Sequence, residues 1–154
     1  MLRAYLLLVA SVIVSSSHLD ARLGETPGEL ETRYGGGATT IDAPLGEAAL
    51  KYKYKDYLIM VTFVDGKSAQ EIYIHQDFRT ELSEVEIQSF LDLNAFGRQW
   101  ERSPDIPVWS LGGTEPKDWI AMAAYYKPPQ HVAPGLGIMT IDYAKKHRFV
   151  PKDI

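Results

Sequence analysis

The dipeptide Asp65-Gly66 limits the fold of this chain most strongly, because it stands between two apolar runs and is typical of a two-residue β-hairpin turn. The turn predicts these cross-strand pairs: Val64 with Lys67, Ile59 with Ile72 and Tyr57 with Ile74. A preceding tight turn at Lys55-Asp56 predicts two more: Tyr52 with Ile59 and Leu50 with Val61. Residues 50–75 are therefore expected to form three antiparallel strands.

Alternation of side chains divides these strands into two faces. The expected core face carries Leu50, Tyr52, Tyr54, Tyr57, Ile59, Val61, Phe63, Ile72 and Ile74. The opposite face carries Lys51, Lys53, Leu58, Met60, Thr62, Lys67, Glu71 and Tyr73. The second face has more apolar area than a solvated sheet needs, so it is either a binding face or a face half covered by the rest of the chain.

Two helices are predicted from their first residues. Thr26, with Pro27 after it and Glu29 as the capping-box partner, starts a short helix that ends at Gly35. Ser83, with Glu86 as its partner, starts a second helix with an apolar stripe that ends before Gly97.

Further extended segments are expected at residues 107–111, 119–126 and 137–143, separated by turn-rich stretches at 112–117 and 127–135. The order of elements is then helix, three strands, helix, three strands. We expect an α+β fold, with an antiparallel sheet of about six strands and two short helices on one face. The spacing of Thr26 and Ser83 suggests a duplicated helix-plus-three-strand unit.

The first residues are typical of an export signal. Arg3 provides a positive start, residues 4–14 are apolar apart from Ser11, and small residues follow at 15–17. We expect residues 1–17 to be a signal peptide, residues 18–154 to form a single α+β domain, and the mature protein to be periplasmic or secreted. The alternative is an uncleaved membrane anchor, which an apolar run of about 11 residues disfavours. No transmembrane span is expected after processing.

Composition excludes several classes of protein. With no cysteine, the chain has no disulfides, thiolate metal ligands or cysteine nucleophile. A net charge of −4 provides no positive field for a phosphate backbone, so nucleic acid is not an expected partner.

Residues 23–30, Leu-Gly-Glu-Thr-Pro-Gly-Glu-Leu, with Arg33-Tyr34-Gly35 at the helix end, resemble the helix start of small envelope proteins. The similar families are the BamE-type (SmpA/OmlA) outer-membrane assembly lipoproteins and the β-lactamase inhibitor protein fold, which duplicates a helix-plus-sheet unit. This chain lacks the cysteine that carries a lipid anchor. The resemblance implies a non-catalytic binding or assembly role in the envelope.

No catalytic constellation is evident. No serine lies in a G-x-S-x-G motif, and His75, His131 and His147 lack the close spacing of local metal motifs, so they are expected to be surface residues. No cofactor and no metal site is predicted. Asp118, Asp142 and His131 are the dispersed groups from which an enzyme site would have to be assembled. Asp142 could form a carboxylate pair with Asp118 or Glu115, which lie near the loop before the fifth strand.

Aromatic residues are the most suggestive remaining feature, because they stack on sugars and anchor protein interfaces. Residues 119–126 are apolar on both faces, which indicates either a central strand covered on both sides or one with an exposed apolar face. The candidate binding surface consists of Trp109, Trp119, Tyr125, Tyr126, Tyr73 and Met60.

The leading hypothesis is an exported, non-catalytic binding or envelope-assembly module for an unknown protein or glycan of the cell envelope. The alternatives are a hydrolase or other enzyme, and a structural envelope protein or homodimer.

Overall fold

A computed structural model describes residues 23–43, 47–113, 115–127 and 133–150. Within these ranges, eight strands form one antiparallel sheet that carries three α-helices. In chain order the elements are α1 (Pro27–Tyr34), β1 (Thr39–Asp42), β2 (Ala48–Tyr54), β3 (Tyr57–Val64), β4 (Lys67–His75), α2 (Glu84–Leu93), β5 (Trp100–Arg102), β6 (Val108–Leu111), β7 (Ala121–Tyr126), β8 (Gly135–Thr140) and α3 (Ile141–Lys146). None of the described helices is both long enough and apolar enough to cross a bilayer. The expected signal peptide lies outside the described residues.

The α+β class and the antiparallel sheet are confirmed, but the expected six strands and two helices were too few. The additional strands β1 and β5 are short and polar edge strands, with 4 and 3 residues, so they carry little hydrophobic alternation. The strand expected at residues 137–143 ends at Thr140 instead. The Thr140 hydroxyl accepts a hydrogen bond from the Tyr143 backbone N–H at 3.3 Å and starts α3.

The sheet is built from two halves with the same order of elements. Each half is a helix followed by four strands, α1 with β1 to β4 and α2 with β5 to β8. The strand order β1-β2-β3-β4-β8-β7-β6-β5 places the last strand of each half at the centre, where β4 and β8 pair antiparallel. The two halves therefore share one continuous sheet through this pairing, and each contributes four strands rather than the expected three.

Both predicted helix starts are present. The Thr26 hydroxyl accepts from the Glu29 N–H at 3.4 Å, and Glu29 accepts from the Thr26 N–H at 2.8 Å. Ser83 and Glu86 form the same reciprocal box at the start of α2. Gly35 follows α1 with φ of 86°, a backbone conformation that favours glycine.

The predicted register of β2 with β3 is confirmed, whereas that of β3 with β4 is correct only next to the turn. Val64 lies opposite Lys67 and Phe63 opposite Ser68, but beyond them Ala69 is an extra residue, so Gln70 faces Thr62. Ile72 then pairs with Met60 and Ile74 with Leu58, not with Ile59 and Tyr57 as expected. Because of this β-bulge, residues 70–75 of β4 place their side chains on the face opposite to the expected one.

The two faces carry separate cores. On one face, α1 and α2 bury the cluster of Leu30, Tyr34, Ile87, Phe90 and Leu91 against the sheet. Because of the bulge, Glu71 and Tyr73 join this face and are fully buried, whereas they were expected on the other face. The opposite face carries α3, whose buried residues pack with Met122 and Met139.

The close approach of β4 and β8 leads to a prediction about two glycines. A Cβ at Gly135 would lie 2.6 Å from the Ile74 Cγ2 and 3.0 Å from the Tyr73 carbonyl oxygen, whereas a Cβ at Gly137 would meet nothing closer than 3.9 Å. Gly135→Ala should therefore lower the free energy of unfolding by about 1–3 kcal/mol, the usual cost of overpacking. Gly137→Ala, the matched control in the same strand, should change it by less than about 1 kcal/mol. Chemical denaturation measures both, and equal effects would contradict the described pairing.

Candidate functional site

A groove with a volume of about 380 Å³ opens between α1 and α2, beside the turn that joins β2 to β3. We call it the helix groove. Its apolar lining comes from Tyr34, Tyr54, Tyr57, Phe90 and Leu93, and its charged lining from Arg33, Lys55, Asp56 and Glu86. Because both helices pack on the same face of the sheet, the gap between them is closed below by strand residues and open above.

The residues of the helix groove differ in what they offer to a ligand. Tyr34 and Phe90 are 8% and 7% exposed, so they form part of the core, whereas Tyr54, Tyr57 and Leu93 are half-buried. The open apolar surface therefore comes from the last three residues. It lies beside the exposed side chains of Lys55 and Asp56.

A second recess, lined by Asp56, His75, Gln76 and Asp77, adjoins the helix groove and shares Asp56 with it. Two hydrogen bonds connect the elements around it. The Gln76 backbone N–H donates to the Asp56 carbonyl at 2.9 Å, and the Gln76 side-chain amide donates to the Lys55 carbonyl at 2.6 Å. The hairpin turn and the loop after β4 are thus held together.

Glu86 fixes the geometry between the groove and the recess. One carboxylate oxygen accepts from the Tyr57 hydroxyl at 2.5 Å and lies 3.1 Å from the His75 Nε2, while the other accepts from the Ser83 N–H and hydroxyl. Partial burial opposes ionisation, but these hydrogen bonds and the nearby His75 outweigh it and lower the pKa of Glu86 to about 2. Glu86 is therefore a fixed anion near neutral pH and is unsuited to donate a proton to a substrate.

The loop between β4 and α2 presents an exposed aromatic ring. Phe78 is 55% exposed and has φ of 59°, a left-handed conformation that bulky residues rarely adopt. The Asp77 carboxylate holds this shape by accepting from the backbone N–H groups of Arg79 and Thr80 at 2.9 Å and from the Thr80 hydroxyl at 2.5 Å. These hydrogen bonds, first that of the Thr80 hydroxyl, lower the pKa of Asp77 to about 2. We call residues 76–80 the Phe78 loop.

The six residues of the sequence-predicted binding surface do not lie together. Tyr73 and Trp109 are buried among the residues between the sheet and α1 and α2, and Tyr125 is half-buried on the same face. Met60 and Tyr126 lie on the opposite face, as their register shows, and Trp119 packs against the α3 cluster. Of the six, Tyr126 alone is largely exposed, at 59%.

The described residues do not place the dispersed acid and base residues in one recess. Asp142 lines a recess with Lys67 and Lys146, and Asp118 does not line that recess. His131 lies outside the described residues. Among the described residues, no group of three or more His, Asp or Glu side chains is placed to hold a metal ion.

The histidines that the structure describes are less exposed than expected. The side chains of His75 and His147 are 15% and 10% exposed, and each lies close to a glutamate. The His147 Nε2 is 3.2 Å from the Glu47 carboxylate, and its ring packs against Tyr143 at 4.3 Å. The expectation of surface histidines was therefore wrong for these two.

The sequence did not indicate the helix groove. Tyr54 and Tyr57 were correctly expected on the face that the helices cover, but the sideways separation of two helices over a sheet depends on tertiary packing. The Phe78 loop did leave a signal, since an aromatic residue stands within a short polar segment that follows a strand.

Comparisons of the chain with models of protein families, with curated proteins and with solved structures found no match.

The two capping boxes provide a test of the role of Glu86. Glu86→Gln should lower the free energy of unfolding by about 1–2 kcal/mol at pH 7, because the charge-assisted hydrogen bonds of Tyr57 and Ser83 are weakened. Since the folded pKa of about 2 lies below the ordinary 4.5, this contribution is present above pH 4.5 and is lost as the pH falls towards 2. Urea denaturation at several pH values measures the difference.

Glu29→Gln is the matched control, because Glu29 makes the same box in α1 but is exposed. Its loss should be smaller. An equal loss in the two variants would mean that the contacts of Glu86 with Tyr57 and His75 contribute nothing.

Proposed function

We propose that this protein is a non-catalytic binding module that holds a segment of a partner protein in the helix groove and against the Phe78 loop. The observation that carries the proposal is the exposed ring of Phe78 on a left-handed backbone. A large ring held in water on a left-handed backbone costs of order 1 kcal/mol or more, and such conformations concentrate at ligand-contact sites. Phe78 also belongs to neither of the two buried clusters, and the two residues before it, Gln76 and Asp77, line the recess that adjoins the helix groove.

The Phe78 loop is already ordered for contact. Asp77 and the backbone hydrogen bond from the Phe78 N–H to the His75 carbonyl, at 3.1 Å, hold the loop in one shape. A partner that binds a pre-ordered aromatic side chain loses less conformational entropy than one that must order a mobile loop. A single aromatic anchor with polar neighbours is typical of the residues that dominate protein interfaces.

The helix groove favours a polypeptide. Tyr54, Tyr57 and Leu93 provide a narrow apolar strip, and Lys55 and Asp56 place one charge of each sign at its edge. An extended segment with an apolar side chain and polar flanks satisfies both features. The recess that shares Asp56 lies between this strip and the Phe78 loop, which makes one contact surface from the two.

A glycan is the weaker alternative, because sugars stack on free ring faces. The Lys55 ammonium lies over the Tyr54 ring at 5.2 Å, and the Tyr57 ring is in contact with Phe90 and His75, with centroids 5.1 and 5.0 Å away. The groove therefore offers edges rather than open faces.

The Ser89 hydroxyl also lines the groove, but it donates to the Val85 carbonyl at 2.8 Å and has no basic partner in that contact, which favours binding over catalysis.

We place the partner in the cell envelope. This part of the proposal rests on the export signal expected at residues 1–17 and on the resemblance of residues 23–35 to envelope-assembly proteins. If protein that stays in the cytosol bound the same partner there, the proposed location of the partner in the envelope would be contradicted.

The proposal predicts different outcomes for two similar phenylalanines. Phe78 and Phe96 flank α2, have φ of 59° and 51°, and are 55% and 40% exposed. Asparagine tolerates this backbone, so Phe78→Asn and Phe96→Asn should each keep the free energy of unfolding within about 0.5 kcal/mol of the original. A protein captured from envelope extract and then purified should bind Phe78→Asn at least about tenfold more weakly, and bind Phe96→Asn as before, by calorimetry.

Equal weakening by both substitutions would indicate non-specific apolar association, and no weakening would remove Phe78 from the site. Retention of glycan alone, or self-association of the purified chain in sedimentation, would overturn the proposed partner class.

A further inference from the structure

Glu71 is a fully buried carboxylate at the centre of the sheet. It lies in β4, opposite Ile138 of β8, and faces α1 and α2. One of its oxygens accepts from the hydroxyls of Tyr73 and of Tyr34, the latter at 3.3 Å. The other oxygen has no hydrogen-bond partner among the described residues. A buried carboxylate with only hydroxyl donors pays a large desolvation cost when it is ionised.

Charged groups near Glu71 do not remove this cost. Arg33 of α1 uses both terminal nitrogens on the Glu25 carboxylate, so it acts on Glu71 only at a distance, and Glu25 opposes it. Tyr52 of β2, a neutral phenol on the same face of the sheet, also lies close enough to be influenced by Glu71. Burial is the dominant influence and raises the pKa of Glu71 to about 6, against the lowering effects of Tyr73, Arg33 and Tyr34.

The hydrogen bonds of Glu71 connect to both ends of α1. Tyr34 is the last residue of the helix, and Leu23 precedes its first turn. The Asn94 side chain donates to the Tyr73 hydroxyl at 3.1 Å and accepts from the Leu23 N–H at 3.2 Å. Within α1 itself, two side chains are buried, Leu30 and Tyr34. A short helix with so few buried residues opens at low cost.

We propose that Glu71 is a proton-controlled latch for α1, which stays closed on the sheet when this carboxyl is neutral and opens to hydrate it when it is ionised. The folded pKa is raised above the ordinary 4.5, so the stabilisation of the closed form is complete below about pH 4.5 and is lost as the pH rises through about 6. Opening of α1 moves Tyr34, a wall of the helix groove. The consequence for ligand binding rests on the proposed function, whereas the latch itself does not.

Hydrogen exchange of the full chain tests the latch. After division by the intrinsic exchange rates, protection of the α1 amides should fall between tenfold and a hundredfold from pH 4.5 to pH 7.5, because a shift of one to two pKa units corresponds to that factor. In Glu71→Gln this dependence should disappear. Glu31→Gln, the same change at an exposed position of α1, should behave as the original chain does. Amides of β3 should keep their protection in all three.

Three results would overturn the latch: equal loss of protection in α1 and β3, an unchanged pH dependence in Glu71→Gln, or its loss in Glu31→Gln. If Glu71→Gln does not fold, carbon-13 NMR of the unsubstituted protein decides. One glutamate carboxyl should titrate near pH 6, and titration of every glutamate below about pH 5 would refute the latch. Neither measurement uses a ligand, so a failed latch and a failed binding site are told apart.

Discussion

The β-bulge at Ala69 determines which side chains of β4 face the helices, and the burial of Glu71 and Tyr73 beneath those helices follows from it. Without the extra residue, Ile72 and Ile74 would point into the core beneath α1 and α2, and Glu71 would point to the opposite face. With it, Glu71 and Tyr73 enter that core. The bulge lies in the part of β4 that extends beyond its pairing with β8. There the Ser68 N–H donates to the Glu25 carbonyl, and the Ser68 carbonyl accepts from the Gly24 N–H, in the segment that precedes α1.

Features set by neighbouring residues could be predicted from the sequence, whereas those set by distant contacts could not. Both capping boxes and the turn at Asp65-Gly66 depend on residues within four positions of one another, and they were predicted correctly. The bulge lies next to the contacts that Ser68 makes with the segment before α1, about 43 residues away, and no local pattern encodes those contacts. The face assignment of Glu71 failed because the bulge was not predicted, and with it the idea that Met60 and Tyr73 share one surface.

The candidate site shows the same division. Each residue of the helix groove was expected in a strand, helix or turn that exists, but the groove needs α1 and α2 to lie a certain distance apart over the sheet. Phe78 has its ring in solvent on a left-handed backbone, a conformation that Phe96 shares, and Glu71 has its carboxylate in the core. Folded proteins tolerate such departures from the local rules of a stable fold mainly where function requires them, so Phe78 and Glu71 are the positions at which we propose binding and its regulation.

The register of β3 against β4 is the most direct test, because the burial of the Glu71 carboxylate beneath the helices and its hydrogen bond from Tyr34 of α1 depend on the bulge. Cross-strand nuclear Overhauser contacts of the folded protein in solution measure it. The described structure predicts backbone contacts between the directly opposed residues Met60 and Ile72, and between Thr62 and Gln70. Direct opposition of Ile59 and Ile72 instead would mean an unbulged hairpin, would place Glu71 on the opposite face of the sheet, and would contradict the account.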